Sequence, residues 1–122
     1  MESHAVTVCP GDTTGDDIFD PLLAVLEATG VRFDWHRFDG DRGIDEAVLT
    51  DARRTGNVLM GYYHGRREHG EVAPVVKLRD EIGVFANLRP VESVPGMHAR
   101  FDNVSLLVVR ETTEDVYANL EH

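Results

Sequence analysis

One cysteine and one lysine are all that this chain of 122 residues holds of either type. Cys9 has no partner for an internal disulfide, which fits a reducing compartment. Eleven of the twelve basic residues are therefore arginine. No stretch approaches the roughly 20 apolar residues of a membrane span, so no membrane partner is expected. The opening Met1-Glu2-Ser3-His4 has neither a basic n-region nor an apolar h-region. No signal peptide is expected, and the cytoplasm is the expected location. Positive charge is scarce as well: 22 acidic residues against 12 basic give a net charge of -10. Such a surface repels nucleic acid and anionic lipid, and no basic stripe offsets it. The acidity reads as a solvated surface rather than a cation site, and no metal is expected.

Apolar residues make up 42% of the chain, enough for one compact domain over residues 1–122 without metal or disulfide support. Repeats, low-complexity tracts and linkers are absent. Residues 5–9 read as a strand that runs into the turn-rich Pro10-Gly11-Asp12-Thr13-Thr14-Gly15. Asp20-Pro21 predicts an N-cap and first helical residue, with Leu22, Leu23, Val25 and Leu26 as the buried stripe and Gly30 as the stop. Val31, Phe33 and Trp35 alternate with Arg32, Asp34 and His36, the period of a half-exposed strand. Ile44, Ala47, Val48 and Ala52 recur at helical spacing and Gly56 closes them. Asn57–Met60 reads as a short buried strand, followed by a polar loop from Gly61 to Gly70. Pro74 opens a helix that ends at Gly83, and strands are expected at about 85–92 and 104–109. The order β-α-β-α-β-α-β-β predicts an α/β fold, a three-layer sandwich with a mostly parallel sheet.

Three arginines stand out: Arg79 at a helix end, Arg89 within a strand and Arg110 at the end of another. A guanidinium stays charged at any usable pH and grips a carboxylate with two parallel donors. Composition does not show that the three converge. His64 follows a strand closely, on the loop edge where α/β sites form. His69 and His98 read as solvated, as do Glu114 and Asp115. Tyr62 and Tyr63 either line a pocket or cover the sheet.

The motifs Leu78-Arg79, Phe85-Ala86-Asn87-Leu88-Arg89-Pro90 and Val109-Arg110-Glu111-Thr112-Thr113-Glu114, with Tyr117 beyond them, resemble the isocitrate and 3-isopropylmalate dehydrogenases. The resemblance covers nearly all of this chain but only the opening third of a family member. It implies that Arg79, Arg89 and Arg110 bind the malate portion of a substrate and that Tyr117 helps deliver a proton. Gly11, Asp12, Thr13 and Gly15 resemble the family's loop near the nicotinamide, with Thr13 where the family has glycine. A β-branched residue there argues against coenzyme binding, and no cofactor is expected. Ala73 and Val75 stand where isocitrate enzymes read a third carboxylate, so Val75 makes that wall apolar. Asn119 replaces a usual glycine.

The family's proton-accepting lysine, metal-binding aspartates and adenine segment would lie beyond residue 122. The expected function is therefore a small, cofactor-free biosynthetic enzyme of isomerase, cyclase or lyase type. Its arginine-lined pocket would hold a carboxylate or carbonyl compound, with Tyr117, Arg110 and His64 catalytic. The alternatives are half of a split NAD-dependent dehydrogenase that needs a partner chain, and a non-catalytic binding module. A homodimer built across an open sheet edge is the expected assembly.

Overall fold

The computed structural model describes residues 3–12, 15–40, 43–63 and 73–112. Along the chain come β1 (Ser3–Cys9), α1 (Gly15–Glu27), β2 (Arg32–Arg37), α2 (Glu46–Thr55), β3 (Val58–Met60), α3 (Pro74–Ile82), β4 (Ala86–Glu92) and β5 (Ser105–Glu111). The class is α/β. Two compact units divide the chain, Met1–Ile82 and Gly83–His122.

The first unit is built on a parallel sheet of order β2-β1-β3. β1 takes the centre because its second half, Val6-Thr7-Val8-Cys9, is buried on both sides. Successive side chains alternate between faces. Val6 and Val8 pack with Phe19 of α1, backed by Leu23, Phe33, Trp35 and Leu59. Cys9 packs instead with Val48, Leu49 and Ala52 of α2 and Leu78 of α3. Parallel neighbours require crossover connections, and the helices in those connections supply the cover. Each fully buried aliphatic side chain contributes about 1.5–3 kcal/mol relative to exposure.

Local signals set two of the helices. The Asp45 carboxylate accepts from the backbone N–H of Ala47 and Val48, capping α2. At the other end Gly56 takes φ 68°, and its N–H donates to the Ala52 carbonyl. Proline at the first position starts α3, and its buried residue is Leu78. The first helix departs from expectation. It begins at Gly15, not at Asp20-Pro21, and Pro21 lies inside it. The backbone of this first turn is pressed against Pro10, since a Cβ on Gly15 would meet the Pro10 carbonyl oxygen at 2.7 Å. Phe19, ahead of the expected start, is the buried anchor, whereas Val25 of the expected stripe is 65% exposed. Tertiary burial of Phe19 outweighs the local signal of an Asp-Pro pair.

The second unit corrects the idea of one sheet. β4 and β5 form their own antiparallel two-stranded ribbon, from Ala86 opposite Glu111 to Glu92 opposite Ser105. The segment between them contains no helix, so it has no crossover to make them parallel. It folds back at once: Ser93 N–H donates to the Val104 carbonyl, and Val104 N–H donates to Ser93 Oγ. At the far end Thr112 N–H donates to the Phe85 carbonyl at 3.0 Å. Every residue of β5 is exposed.

Candidate functional site

Register decides which arginines can act together. Asn87 lies opposite Arg110, and Arg89 opposite Val108. With side chains alternating, Asn87, Arg89, Val91, Leu106, Val108 and Arg110 share one face of the ribbon. Arg89 and Arg110 are then diagonal neighbours, about 7–8 Å apart at the backbone. Arg89 Nε donates to Asn87 Oδ1 at 2.9 Å, which fixes one edge of its guanidinium beside Arg110. Two cations on one exposed face form a fork that a carboxylate would relieve.

Arg79 occupies the last turn of α3, in the first unit, and Val75 lies one turn before it. The i, i+4 spacing puts these two half-buried residues on one side of that helix. Of the other expected site residues, Tyr117, His64 and Thr13 lie outside the described residues. So do His69, Glu114, Asp115 and Asn119.

At the carboxyl ends of β1 and β3 the chain closes tightly on itself. Gly11 has φ 96°, and a Cβ there would sit 2.2 Å from the Tyr62 carbonyl oxygen. Gly40 and Gly61 make equally close approaches, to the carbonyls of Gly11 and Pro10. Asp12 N–H donates to the Tyr62 carbonyl at 3.3 Å. The described part of this loop, with Gly11, Asp12 and Gly15, is thus packed closely onto its own fold. Tyr62 is 73% exposed while Tyr63 packs on the core, so the two tyrosines divide the roles between them. Burial, followed by the Cys9 charge, pushes the Tyr63 phenol up to about 12. Burial, followed by the Asp51 and Asp45 charges, pushes the Cys9 thiol up to about 11. Neither group exchanges a proton near neutrality. Among the described residues no group of three or more His, Cys, Asp and Glu side chains is placed to hold a metal ion.

A polar network at the side of the sheet escaped the sequence reading. Thr7, fully buried in the central strand, donates to Asp51 Oδ2 at 2.7 Å and shares a 2.8 Å hydrogen bond with Thr55. His36 Nδ1 lies 2.9 Å from Asp51 Oδ1, and its Nε2 lies 3.2 Å from Asp34 Oδ2. Arg54 donates to Asp51 Oδ1 at 2.6 Å. The hydrogen bond to Asp51, then that to Asp34, raises the His36 pKa above its ordinary value. Burial works to raise the Asp51 pKa, but hydrogen bonds from Thr7, His36 and Arg54 overcome it and hold the carboxyl at about 2. Hydroxyl, carboxylate and imidazole are all present, yet the carboxylate sits between the other two. The imidazole cannot take the hydroxyl proton, so this is a tie of β1 and β2 to α2 and not a nucleophilic triad. The available signal was Thr7 itself, a hydroxyl amid the most apolar strand.

Fold and ribbon together define an α/β protein with two arginines on one face of an exposed ribbon. A family model described as isocitrate/isopropylmalate dehydrogenase matches residues 5–122. The chain belongs to that family. It is 30% identical to the mitochondrial isocitrate dehydrogenase [NAD] subunit 1 of Kluyveromyces lactis, over 98% of this chain and 34% of that protein. It is also 30% identical to the 3-isopropylmalate dehydrogenase of Archaeoglobus fulgidus, over 95% of this chain and 37% of that one. The crystal structure of isocitrate dehydrogenase from Methylococcus capsulatus superposes with a TM-score of 0.79 at 32% identity, covering 98% of this chain and 38% of its own. The chain spans about a third of the length of these relatives. No helix among the described residues is long and apolar enough to cross a membrane.

Proposed function

We propose that this chain recognises a small molecule with two or more carboxylates through Arg89 and Arg110. The observation that carries this reading is the antiparallel register, which sets Arg89 and Arg110 side by side on one exposed face. The relatives named above support the substrate class, since isocitrate and 3-isopropylmalate both carry several carboxylates. Dehydrogenation, for which those relatives are named, would draw its remaining groups from polypeptide that this chain does not span. That makes it one portion of a composite dehydrogenase site. The cofactor-free isomerase, cyclase or lyase reading places its proton transfer on Tyr117 and His64, which lie outside the described residues. It therefore ranks second.

With this reading go three coarser proposals. Residues 1–122 act as one functional domain despite their two units. The first unit, β1 to α3, is a three-layer sandwich, a reading supported by the separate clusters on either side of β1. The cytoplasm is the site of action.

Calorimetric titration of the full chain with isocitrate, 3-isopropylmalate and acetate tests the reading. The two polycarboxylates should bind and acetate should not. Arg89→Ala and Arg110→Ala should each weaken binding by about 1.5–3 kcal/mol, the worth of a charge-assisted hydrogen bond. Arg89→Lys should recover little, because a point charge lacks the two-pronged geometry. Unchanged binding in both alanine variants would sink the reading.

A further inference from the structure

Of the side chains on the ribbon face that holds Arg89 and Arg110, Asn87 is half-buried and the others are exposed. Asn87 stands directly opposite Arg110, and its Oδ1 accepts from Arg89 Nε at 2.9 Å. A guanidinium has donors only, so the amide atom in contact is the oxygen and not the nitrogen. Arg89 is held through its backbone as well. Pro90 follows it within β4, and the residue before a proline is confined to extended backbone.

The engaged atom sets how Arg89 can meet an anion. A guanidinium grips a carboxylate either side-on, from Nε and one Nη, or end-on, from both Nη atoms. With Nε bonded to Asn87, the end-on grip is the one left to Arg89. The bond also counters repulsion. Like charges that are diagonal neighbours tend to diverge into solvent, whereas Asn87 draws the Arg89 guanidinium along β4 toward the 87/110 pair. Asn87 Oδ1 is the one acceptor among these three side chains, and Arg89 occupies it, so the face presents donors to an anion. An exposed, rotamer-rich side chain is otherwise ordered only when a ligand arrives, at an entropic cost to affinity.

We propose that Asn87 is a positioning residue, which acts through Arg89 by holding it ready for an end-on grip beside Arg110. The role rests on the carboxylate reading of Arg89 and Arg110.

The test is calorimetric titration of isocitrate into the full chain and its variants, together with NMR of the Arg89 Nε–H. That resonance is identified by its loss in Arg89→Ala. In the wild type it should exchange slowly with solvent and stay in place as isocitrate is added. Asn87→Ala should weaken binding about two- to ten-fold, the cost of ordering one long side chain, with an unchanged circular dichroism spectrum. Its Arg89 Nε–H should exchange fast. In an Arg89→Ala background the same change should cost nothing further, because a residue acting through Arg89 has no effect once Arg89 is gone. Asn87→Asp keeps the acceptor but adds a negative charge, so a slow Nε–H should accompany weaker binding than in the alanine variant. Additive losses in the double variant overturn the role, since Asn87 would then act on the ribbon or the ligand directly. Unchanged binding in Asn87→Ala overturns the role and leaves the carboxylate reading standing. A wild-type chain that does not bind isocitrate overturns both. Should Asn87→Ala fail to fold, the wild-type resonance decides, and fast exchange or a shift as isocitrate takes Nε overturns the role.

Discussion

The central strand β1 and the outer strand β5 are both seven residues long and both carry β-branched side chains, yet their circumstances are opposite. β1 has a neighbour on each edge, a helix-backed cluster on each face, and four consecutive buried residues. Among the described residues β5 has one neighbour, and none of its own residues is buried. The same apolar pattern thus serves as core in one unit and as surface in the other. What differs is the connection. Helices of thirteen and ten residues lie between the parallel strands and return to cover them, while the link between β4 and β5 holds no helix.

The largest expected effect separates the two units directly. Leu49 is fully buried between α2 and the sheet, so Leu49→Ala should cost about 2–5 kcal/mol in urea unfolding, with the transfer and cavity losses added. Leu107→Ala removes the same atoms from an exposed site and should change monomer stability by no more than about 0.5 kcal/mol. Comparable losses at the two positions would erase the contrast between the units.

Next in size is the buried hydroxyl. Thr7→Val keeps shape but leaves Asp51 and Thr55 short of a partner, and a loss of about 1–3 kcal/mol is expected, read from the urea midpoint. A neutral result would mean that water replaces the hydroxyl and that the network is open to solvent.

How much of this contrast was legible beforehand can be traced residue by residue. Gly56 after a helical pattern, Pro74 before one, and alternation through Phe33 and Trp35 all marked elements that the chain forms, because caps and periodicity are local. Phe19 was missed as an anchor, since the Asp20-Pro21 pair imitates a helix start and only the packing onto Val8 outweighs it. The separate ribbon was missed because strand direction depends on where the chain goes after Glu92, which no short window reports. Arg89 and Arg110 were legible as residue types through the family motifs, but their shared face rests on a register that sequence does not print. His36 was read as the solvent side of a strand. Asp34 lies two residues away on the same strand, but Asp51, fifteen residues on, reaches His36 from α2, a contact that no short window of sequence shows.

A smaller effect follows pH. His36 has a raised folded pKa, so its contribution is fully present below its unfolded value of about 6.5 and fades as pH rises through the higher folded value. Asp51, held at about 2, contributes above its unfolded value and fades as pH falls toward 2. Stability of the first unit should therefore be flat between about pH 4 and pH 6.5 and decline on either side. His36→Asn should flatten the alkaline limb and Asp51→Asn the acid limb, measured as midpoint against pH. The ribbon contains neither group, so its exchange rates, corrected for intrinsic chemistry, should not follow these limbs.

The smallest effect lies at the surface of the first unit, where charge is dense but wet. Arg37 donates from Nη1 to Asp20 at 2.6 Å and from Nη2 to Asp16 at 2.7 Å, tying β2 to α1. Both carboxylates are more than two-thirds exposed, so water competes for the guanidinium. Arg37→Ala should cost no more than about 1 kcal/mol at low salt. Raising salt from about 0.01 to about 1 M shortens the screening length from about 30 to about 3 Å, and the difference between wild type and variant should shrink accordingly. A large loss that salt leaves untouched would show that Arg37 holds α1 through the packing of its aliphatic stem, and would move this corner of the molecule from the charged surface to the core side of the comparison.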